Sequence, residues 1–195
     1  MIRSESNRFG WPLYVLYPGD YFATGEECLL ATVTGSCAVV CLHDAVRCIG
    51  GLGHFIVPGA MGTEGLVADE VAKQGIASME QLIGEMVKQG SSRKALRATL
   101  FGAASFGAGE GTDKLSGENI RFLHEYFRFE KIPVFKEDLG GRYRRKILFY
   151  PRSGEAYRKY LRNNGAHSEF MKLEREYIAG VFGNKEPYGK VLLFD

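Results

Sequence analysis

Two short apolar runs joined by a tight turn limit the fold of this chain more than any other feature. The first run covers residues 38–43 and the second covers residues 49–57, and both are rich in apolar residues, several of them β-branched. Runs of this length and composition predict strands, and residues 44–47 between them predict a turn. We therefore expect an antiparallel hairpin over residues 38–57.

The predicted hairpin would bring one thiol and one imidazole close together. With the turn centred between residues 45 and 46, antiparallel pairing sets Cys37 directly opposite His54. Directly opposed residues share a face of the sheet, with Cβ atoms about 4.5–5.5 Å apart. A bulge at one of the glycines that precede His54 would shift the register by one and turn the imidazole to the other face.

A cysteine beside a histidine is the chemistry of a cysteine hydrolase, because the thiolate is the nucleophile and the imidazole handles its proton. Gly35 and Ser36 form a small-residue bend that lets a substrate amide approach and leaves N–H groups free for an oxyanion. Thr32 lies five residues before Cys37 on the preceding predicted strand, and its hydroxyl could hold the second imidazole nitrogen. Threonine is also an ordinary strand residue, so this role stays open.

Several motifs along the chain resemble one bacterial family. They are T-V-T-G-S-C-A-V-V-C-L-H-D at 32–44, G-G-L-G-H-F-I-V-P at 50–58, Y-P-G-D-Y at 17–21, S-M-E-Q-L-I at 78–83, F-G-A-A at 101–104, I-P-V at 132–134, E-D-L-G-G at 137–141, R-K-I-L-F at 145–149 and P-R-S-G at 151–154. In this order, over residues 12–160, the chain is similar to the chemoreceptor glutamine deamidase family, CheD. It departs from the family pattern at residues 73–76, which read K-Q-G-I where the family has a tyrosine before Gly-Asp.

The resemblance implies an activity and partners. It carries Cys37 over as the nucleophile, His54 as the general base and acid, and Thr32 as the residue that steadies His54. The implied reaction converts receptor glutamines to glutamate through a thioester, with hydrolysis of glutamyl methyl esters as a related activity. The implied partners are the cytoplasmic helices of chemoreceptors and CheC, a phosphatase that acts on the chemotaxis response regulator.

Length and charge agree with a protein substrate. A chain of 195 residues with 45% hydrophobic content favours a single core, and a formal charge of +2 argues against nucleic acid as the main partner. No stretch has the apolar length of a membrane span, and the first residues lack the apolar core of a secretion signal, so we expect a cytoplasmic protein without membrane insertion. We assign residues 1–160 to a catalytic domain and 161–195 to an extension that packs on that domain or on a partner.

The hydrophobic pattern predicts an α+β fold. It is a single-domain layered sandwich of mixed or antiparallel sheet with two main helices, plus a C-terminal helical extension. We predict strands over 29–34 and 98–104, one helix over 76–89, a second capped by Ser116 and a third capped by Ser168. Residues 190–194 are expected to be extended, and the glycine-rich segment 107–111 is expected to be a connector rather than a phosphate cradle.

The cysteine pattern favours free thiols. Gaps of nine, four and seven residues separate Cys28, Cys37, Cys41 and Cys48, without the close pairs of structural zinc sites. We therefore expect no metal, no cofactor and no disulfide, and we expect Cys41 to be an apolar filler.

Two other classes of function remain open at this point. The protein could be a non-catalytic chemotaxis adaptor that binds receptor or phosphatase, or Cys37 could be a redox thiol with Cys41 as its partner. The redox class is weaker because residues four apart on a strand are about 13 Å apart. The basic segment 142–146 fits either a charged strand edge or a guide for an acidic protein substrate.

Overall fold

The computed structural model describes residues 2–4, 10–56, 70–105, 110–162 and 168–183. Two classes of element, strands and α-helices, make up most of these residues. The strands are β1 (Ile2–Ser4), β2 (Leu13–Val15), β3 (Tyr21–Thr24), β4 (Leu29–Thr34), β5 (Ala38–Asp44), β6 (Ile49–Phe55), β7 (Leu96–Gly102), β8 (Val134–Leu139), β9 (Arg144–Tyr150) and β10 (Glu155–Leu161). The helices are α1 (Glu70–Lys88), α2 (Glu110–Phe129) and α3 (Ser168–Gly183), with a short 3-10 turn at Arg93–Ala95.

The strands form two five-stranded sheets. The first sheet has the order β1-β2-β4-β9-β10, and the second has the order β3-β6-β5-β7-β8. Pairing is antiparallel except between β2 and β4 and between β7 and β8, which run parallel. The predicted α+β class with mixed sheets is therefore confirmed.

The second sheet is the middle layer of three, with α1 and α2 on one face and the first sheet on the other. Alternate residues of each strand point to these two faces. Val40 and Leu42 of β5 face α1 and α2, whereas Val39 and Cys41 face the first sheet. The helix side of this layer buries the following cluster: Ala23, Ala38, Val40, Leu42, Ile49, Phe55, Met79, Leu82, Ile83, Met86, Leu96, Ala98, Leu100, Phe122, Leu123, Tyr126, Phe127 and Ile132. The side between the sheets buries a smaller one: Leu16, Cys28, Leu30, Val39, Cys41, Leu52, Phe101, Ile147 and Phe149. Cys41 is thus packed as the apolar filler that the sequence predicted.

The first two helices begin earlier than the sequence pattern predicted, whereas the third begins at Ser168. The helix predicted over 76–89 is α1, which already begins at Glu70 and ends at Lys88. No helix in the described part of the chain combines the length and the apolar character that a membrane crossing needs. The predicted extended piece at 190–194 lies outside the described residues.

The predicted N-cap of the second helix was wrong. Ser116 lies inside α2, which begins at Glu110, and its hydroxyl donates a hydrogen bond to the carbonyl of Ala103. The side chain thus joins the helix to the end of β7 instead of capping it. Of the predicted glycine-rich connector, Glu110 and Gly111 belong to the helix, and residues 107–109 lie outside the described residues.

The basic segment 142–146 contains a buried cation. Arg145 is 2% exposed, and its guanidinium lies 2.8 Å from the Asp138 carboxylate. It also donates to the carbonyl of Gly140 at 2.7 Å and lies over the ring of Tyr160. A buried charge needs such partners, so Arg145 ties β8 to β9 and does not face a substrate.

Candidate active site

Cys37 lies where the chain crosses from one sheet to the other. β4 belongs to the first sheet and ends at Thr34, whereas β5 belongs to the second and begins at Ala38. Residues 35–37 are the whole connection, hereafter the crossover loop. The small residues Gly35 and Ser36 allow this abrupt change of direction.

The crossover loop is held by its carbonyl groups. All three of its carbonyl oxygens accept hydrogen bonds from buried parts of the protein. The donors are Thr34 Oγ1 at 2.7 Å and the Ala103 N–H at 2.8 Å on Cys37, the Ala104 N–H at 2.8 Å on Gly35, and the Asn119 side-chain amide at 2.8 Å on Ser36. Because the carbonyls are fixed toward the protein interior, the loop can present N–H groups on its other side.

Gly102 makes this close packing possible. Its φ is +99°, and a Cβ built on it would lie 2.2 Å from the carbonyl oxygen of Cys37. No L-residue with a side chain fits such a position without moving the backbone. The glycine at the end of β7 is therefore part of the support of the crossover loop.

Two N–H groups of the crossover loop converge on one oxygen. The N–H of Gly35 donates to Oε1 of Glu174 at 3.0 Å, and the N–H of Cys37 donates to the same oxygen at 2.8 Å. Two backbone donors aimed at one negatively charged oxygen form an oxyanion-binding geometry. The N–H groups that the sequence predicted for this purpose do meet an anionic oxygen, which α3 provides.

The register of the hairpin differs from the predicted one by two residues. Val39 pairs with His54, so the predicted direct opposition of Cys37 and His54 was wrong. The turn is centred further along the chain because Asp44 extends β5, its carboxylate accepts the N–H groups of Val46 and Arg47, and residue 48 adopts a φ of +55°. A shift of two keeps every side chain on its face, so the two residues become diagonal neighbours.

His54 lies on β6 and points between the sheets, where it reaches Thr32 of β4. Its Nδ1 lies 2.8 Å from Thr32 Oγ1, and that hydroxyl donates to the carbonyl of Leu16 at 2.7 Å. A hydroxyl has one proton, and a carbonyl can only accept, so the hydroxyl must accept from His54. His54 is therefore the Nδ1–H tautomer, and its Nε2 carries a lone pair.

The ring of His54 lies near the thiol of Cys37. Nε2 of His54 is buried without a hydrogen-bond partner among the described residues. The Sγ of Cys37, a ring nitrogen of His54 and a carboxylate oxygen of Glu174 all lie within 4.8 Å of one another. The structure thus brings together Cys37, His54, Thr32 and the crossover loop.

The backbone of His54 is held from the edge of the second sheet. Its N–H donates to the carbonyl of Asp20 at 3.0 Å, and its carbonyl accepts from the N–H of Gly19 at 2.7 Å. The segment Tyr17–Asp20 is the Pro-Gly-Asp turn of the sequence. These two backbone hydrogen bonds fix the position of His54 on β6, and Thr32 of the first sheet holds its ring.

Burial keeps both members of the pair neutral. Removal from water lowers the pKa of His54 to about 3, and the negative charge of Asp20 offsets only part of that decrease. Burial also raises the pKa of the Cys37 thiol well above its ordinary value, and the charge and hydrogen bond of Glu174 raise it further. In this state a thiol faces a neutral imidazole.

The same three side chains are of the types that bind divalent metals. Thiolate, imidazole and carboxylate are zinc ligands, and Cys37, His54 and Glu174 provide one of each. However, the Glu174 oxygen already receives two N–H donors, which is how a protein binds an anion. The remaining thiols Cys28, Cys41 and Cys48 are free.

Two residues of the site were missed in the sequence. Asn119 and Glu174 are buried polar residues, each on a helix whose apolar stripe the sequence predicted. Asn119 precedes the buried Phe122 by three positions, and Glu174 follows Phe170 by four. A polar side chain within an apolar stripe was the available signal, because such a residue is buried only with a partner.

A thiol, an imidazole with a free lone pair and a pair of N–H donors are the chemical groups of a cysteine hydrolase. In this fold they come from two sheets and the loop between them. Comparison with known proteins then identifies the family.

The sequence profile of the family described as "CheD chemotactic sensory transduction" matches residues 58–160. A Burkholderia orbicola protein named "Probable chemoreceptor glutamine deamidase CheD" is 39% identical over 160 residues, 82% of this chain and 65% of that protein. A Shewanella oneidensis protein named "Probable chemoreceptor glutamine deamidase CheD 1" is 40% identical over 139 residues, 71% of this chain and 68% of that protein. The chain belongs to the CheD family.

The extent of these matches matters for the site. A span of 160 residues within a chain of 195 must include both Cys37 and His54, whereas the family profile begins after them. The chain spans about two thirds of the length of the curated relatives it matches. Among solved structures, a Neisseria meningitidis protein has a TM-score of 0.40 and 13% identity, covering 69% of this chain and 64% of that one.

Proposed function

We propose that this protein deamidates specific glutamine side chains of chemotaxis receptors, with Cys37 as the nucleophile and His54 as the general base and acid. The observation that carries the proposal is the convergence of the Gly35 and Cys37 N–H groups on one oxygen beside the thiol and the imidazole. Membership of the CheD family supports it, since the relatives are named as chemoreceptor glutamine deamidases.

The first step adds the thiol to the substrate carboxamide. Nε2 of His54 takes the proton from Cys37 as the sulfur bonds to the carboxamide carbon, because that nitrogen carries the lone pair. The carbonyl oxygen becomes an oxyanion and receives the two N–H groups of the crossover loop. Thr32 supports this step because its hydroxyl accepts from Nδ1 and holds the ring in the required tautomer.

The second step releases ammonia, and the third releases the product. The protonated His54 gives its proton to the departing nitrogen, the C–N bond breaks, and a thioester to Cys37 remains. His54 then takes a proton from water, and the resulting hydroxide hydrolyses the thioester. As the C–S bond breaks, His54 returns its proton to the Cys37 sulfur and the thiol is regenerated. The new carboxylic acid loses its proton to solvent, so the substrate leaves as glutamate with one added negative charge.

The same groups accept a glutamyl methyl ester. Its carbonyl oxygen would occupy the same N–H pair, and His54 would protonate the departing methoxy oxygen, so that methanol leaves instead of ammonia. We therefore include ester hydrolysis in the proposed activity. The partners that we propose are the cytoplasmic helices of chemoreceptors as substrate, in the cytoplasm, and a CheC-type phosphatase that occupies and inhibits the deamidase.

The proposal is tested by incubating the purified protein with receptor cytoplasmic fragments and following amide-to-acid conversion by mass spectrometry. Cys37→Ala is expected to abolish conversion while retaining receptor binding in a pull-down assay. Cys41→Ala is the matched control, since this thiol is buried between the sheets, and is expected to convert receptor. Conversion by Cys37→Ala would refute the mechanism, and binding without conversion by the wild type would favour the adaptor function.

A further inference from the structure

The C-terminal helix places a side chain inside the site. We propose that α3 is a tethered, product-like inhibitor, in which Glu174 occupies the place of the substrate side chain and must leave before a receptor glutamine can enter. The inference rests on the proposed function and adds a regulatory segment to it.

The contacts of Glu174 are those expected of a ligand. Its Oε1 accepts both N–H groups of the crossover loop, at 3.0 Å from Gly35 and 2.8 Å from Cys37. A carboxylate oxygen of Glu174 also lies within 4.8 Å of the Cys37 sulfur and of a His54 ring nitrogen. One side chain from α3 thus binds the two N–H groups and lies close to the thiol and the imidazole.

The chemistry of this side chain matches the product of the reaction. Deamidation of glutamine gives glutamate, and Glu174 is a glutamate with one oxygen in the position proposed for the oxyanion. A carboxylate does not react onward, because its carbon is a poor electrophile and it offers no ammonia to release. The site is therefore filled by a group that binds but is not converted.

The rest of α3 is only partly buried. The ring of Phe170 stacks on Tyr17 at 5.0 Å, and Tyr177 packs over Gly19, where a Cβ would approach its ring to 2.9 Å. Of the side chains described between residues 169 and 181, only Glu174 is buried, at 6% exposure. The apolar side chains described on the helix are at most partly buried, so both these partial apolar contacts and the two N–H donors hold it in place.

The charge of Glu174 opposes the reaction of Cys37, as does its occupation of the site. With α3 in place, the charge and hydrogen bond of Glu174 add to burial in raising the pKa of the Cys37 thiol. Departure of α3 removes that charge and opens the thiol to water. Both changes favour the thiolate, which is the reactive form.

The test measures the alkylation rate of Cys37 by iodoacetamide in the full chain, mapped by mass spectrometry near neutral pH. Glu174→Ala is expected to label at least about tenfold faster than the wild type, the change that one pKa unit on the thiol produces. Phe170→Ala, which loosens α3 without touching the crossover loop, is expected to change the rate in the same direction and keeps the test valid if Glu174→Ala misfolds.

Two controls accompany this measurement. Glu176→Ala removes an exposed carboxylate of the same helix, which pairs only with Lys172 at 3.8 Å in the ion pairs described, and is expected to label like the wild type. Labelling of the exposed Cys48 should be equal in all variants. Equal Cys37 rates in the wild type, Glu174→Ala and Phe170→Ala would overturn the proposal.

Glu174→Gln tests the product-like placement directly. The thiol is expected to add to the introduced carboxamide, ammonia leaves with a proton from His54, and water hydrolyses the thioester to restore the acid at position 174. Conversion in this variant, and its absence when Cys37→Ala is also present, would support the placement, whereas a retained amide would overturn it. If Glu174→Ala labels faster but no receptor fragment is converted, the inhibitory role of α3 stands and only the proposed receptor substrate is refuted.

Discussion

The buried neutral state of His54 predicts a pH-dependent stability. The pKa of this imidazole falls from an ordinary 6.5 to about 3 in the folded protein, chiefly through burial. Between these two values the unfolded chain binds a proton that the folded protein does not. The free energy of unfolding contributed by His54 is therefore complete above pH 6.5 and decreases as the pH falls toward 3.

The size of the effect follows from the two pKa values. Linkage gives about 1.4 kcal/mol per pH unit well inside the window, and less near pH 6.5, where the unfolded imidazole is only half protonated. Integration from pH 7 to pH 5 gives a loss of about 2 kcal/mol for His54 alone. Burial lowers the pKa of His43 as well, so the wild-type curve contains a second contribution of the same sign.

Urea unfolding at pH 7 and pH 5 measures this dependence. His54→Gln removes the titrating ring, and its loss of stability between the two pH values should be smaller than that of the wild type by about 2 kcal/mol. The control is His124→Gln, which removes an exposed imidazole that lies 2.9 Å from Glu137. The control is expected to keep the full contribution of His54.

A thiolate–imidazolium pair would give the opposite sign. In that case the folded protein would hold the proton on His54 more tightly than the unfolded chain, and lowering the pH toward 5 would stabilise the wild type relative to His54→Gln. Such a result, or identical pH dependence in the two proteins, would refute the assignment of a neutral base. It would also remove the reason for placing the lone pair on Nε2.

Three further substitutions test the support of the site. Thr32→Val leaves a carbonyl and an imidazole N–H unpaired, so we expect about 2 kcal/mol less stability in urea and about tenfold lower kcat for receptor deamidation. Asn119→Ala removes the amide that holds the crossover loop and should cost about 1–3 kcal/mol in the same unfolding assay, with a lower kcat. Gly102→Ala should lower kcat because its Cβ displaces the Cys37 carbonyl, whereas Gly90→Ala, at a similar φ of +98° in open space, should only reduce the thermal midpoint. Retained kcat in Thr32→Val or Gly102→Ala, or unchanged stability in Asn119→Ala, would contradict these assignments.

The local part of the site could be predicted from sequence because it depends on strand periodicity. The sequence predicted strands over 29–34, 38–43 and 49–57 from apolar runs and a turn, and the structure has them over 29–34, 38–44 and 49–55. The period of two places Cys37 and His54 on one face. The register was wrong by two because the turn depends on the Asp44 carboxylate and on the left-handed conformation of Cys48. That conformation is uncommon for a residue other than glycine, so the pattern did not indicate it.

The distant part of the site could not be predicted in this way. Asn119 and Glu174 reach the crossover loop across 83 and 137 positions of sequence, and no periodicity specifies which loop a helix will meet. The orientation of α3 depends on ring contacts at Tyr17 and on the absence of a side chain at Gly19. Only the topology of the two sheets brings these segments together.

The tautomer of His54 and the position of α3 together explain how one site can be both stable and reactive. Thr32 fixes the proton on Nδ1 whether or not α3 is present, so the base is ready before any substrate arrives. What α3 changes is the thiol, because Glu174 covers it and opposes its ionisation. A substrate helix that displaces α3 would therefore occupy the N–H pair and remove the anion that suppresses the nucleophile in the same event. Binding and activation would then be one step.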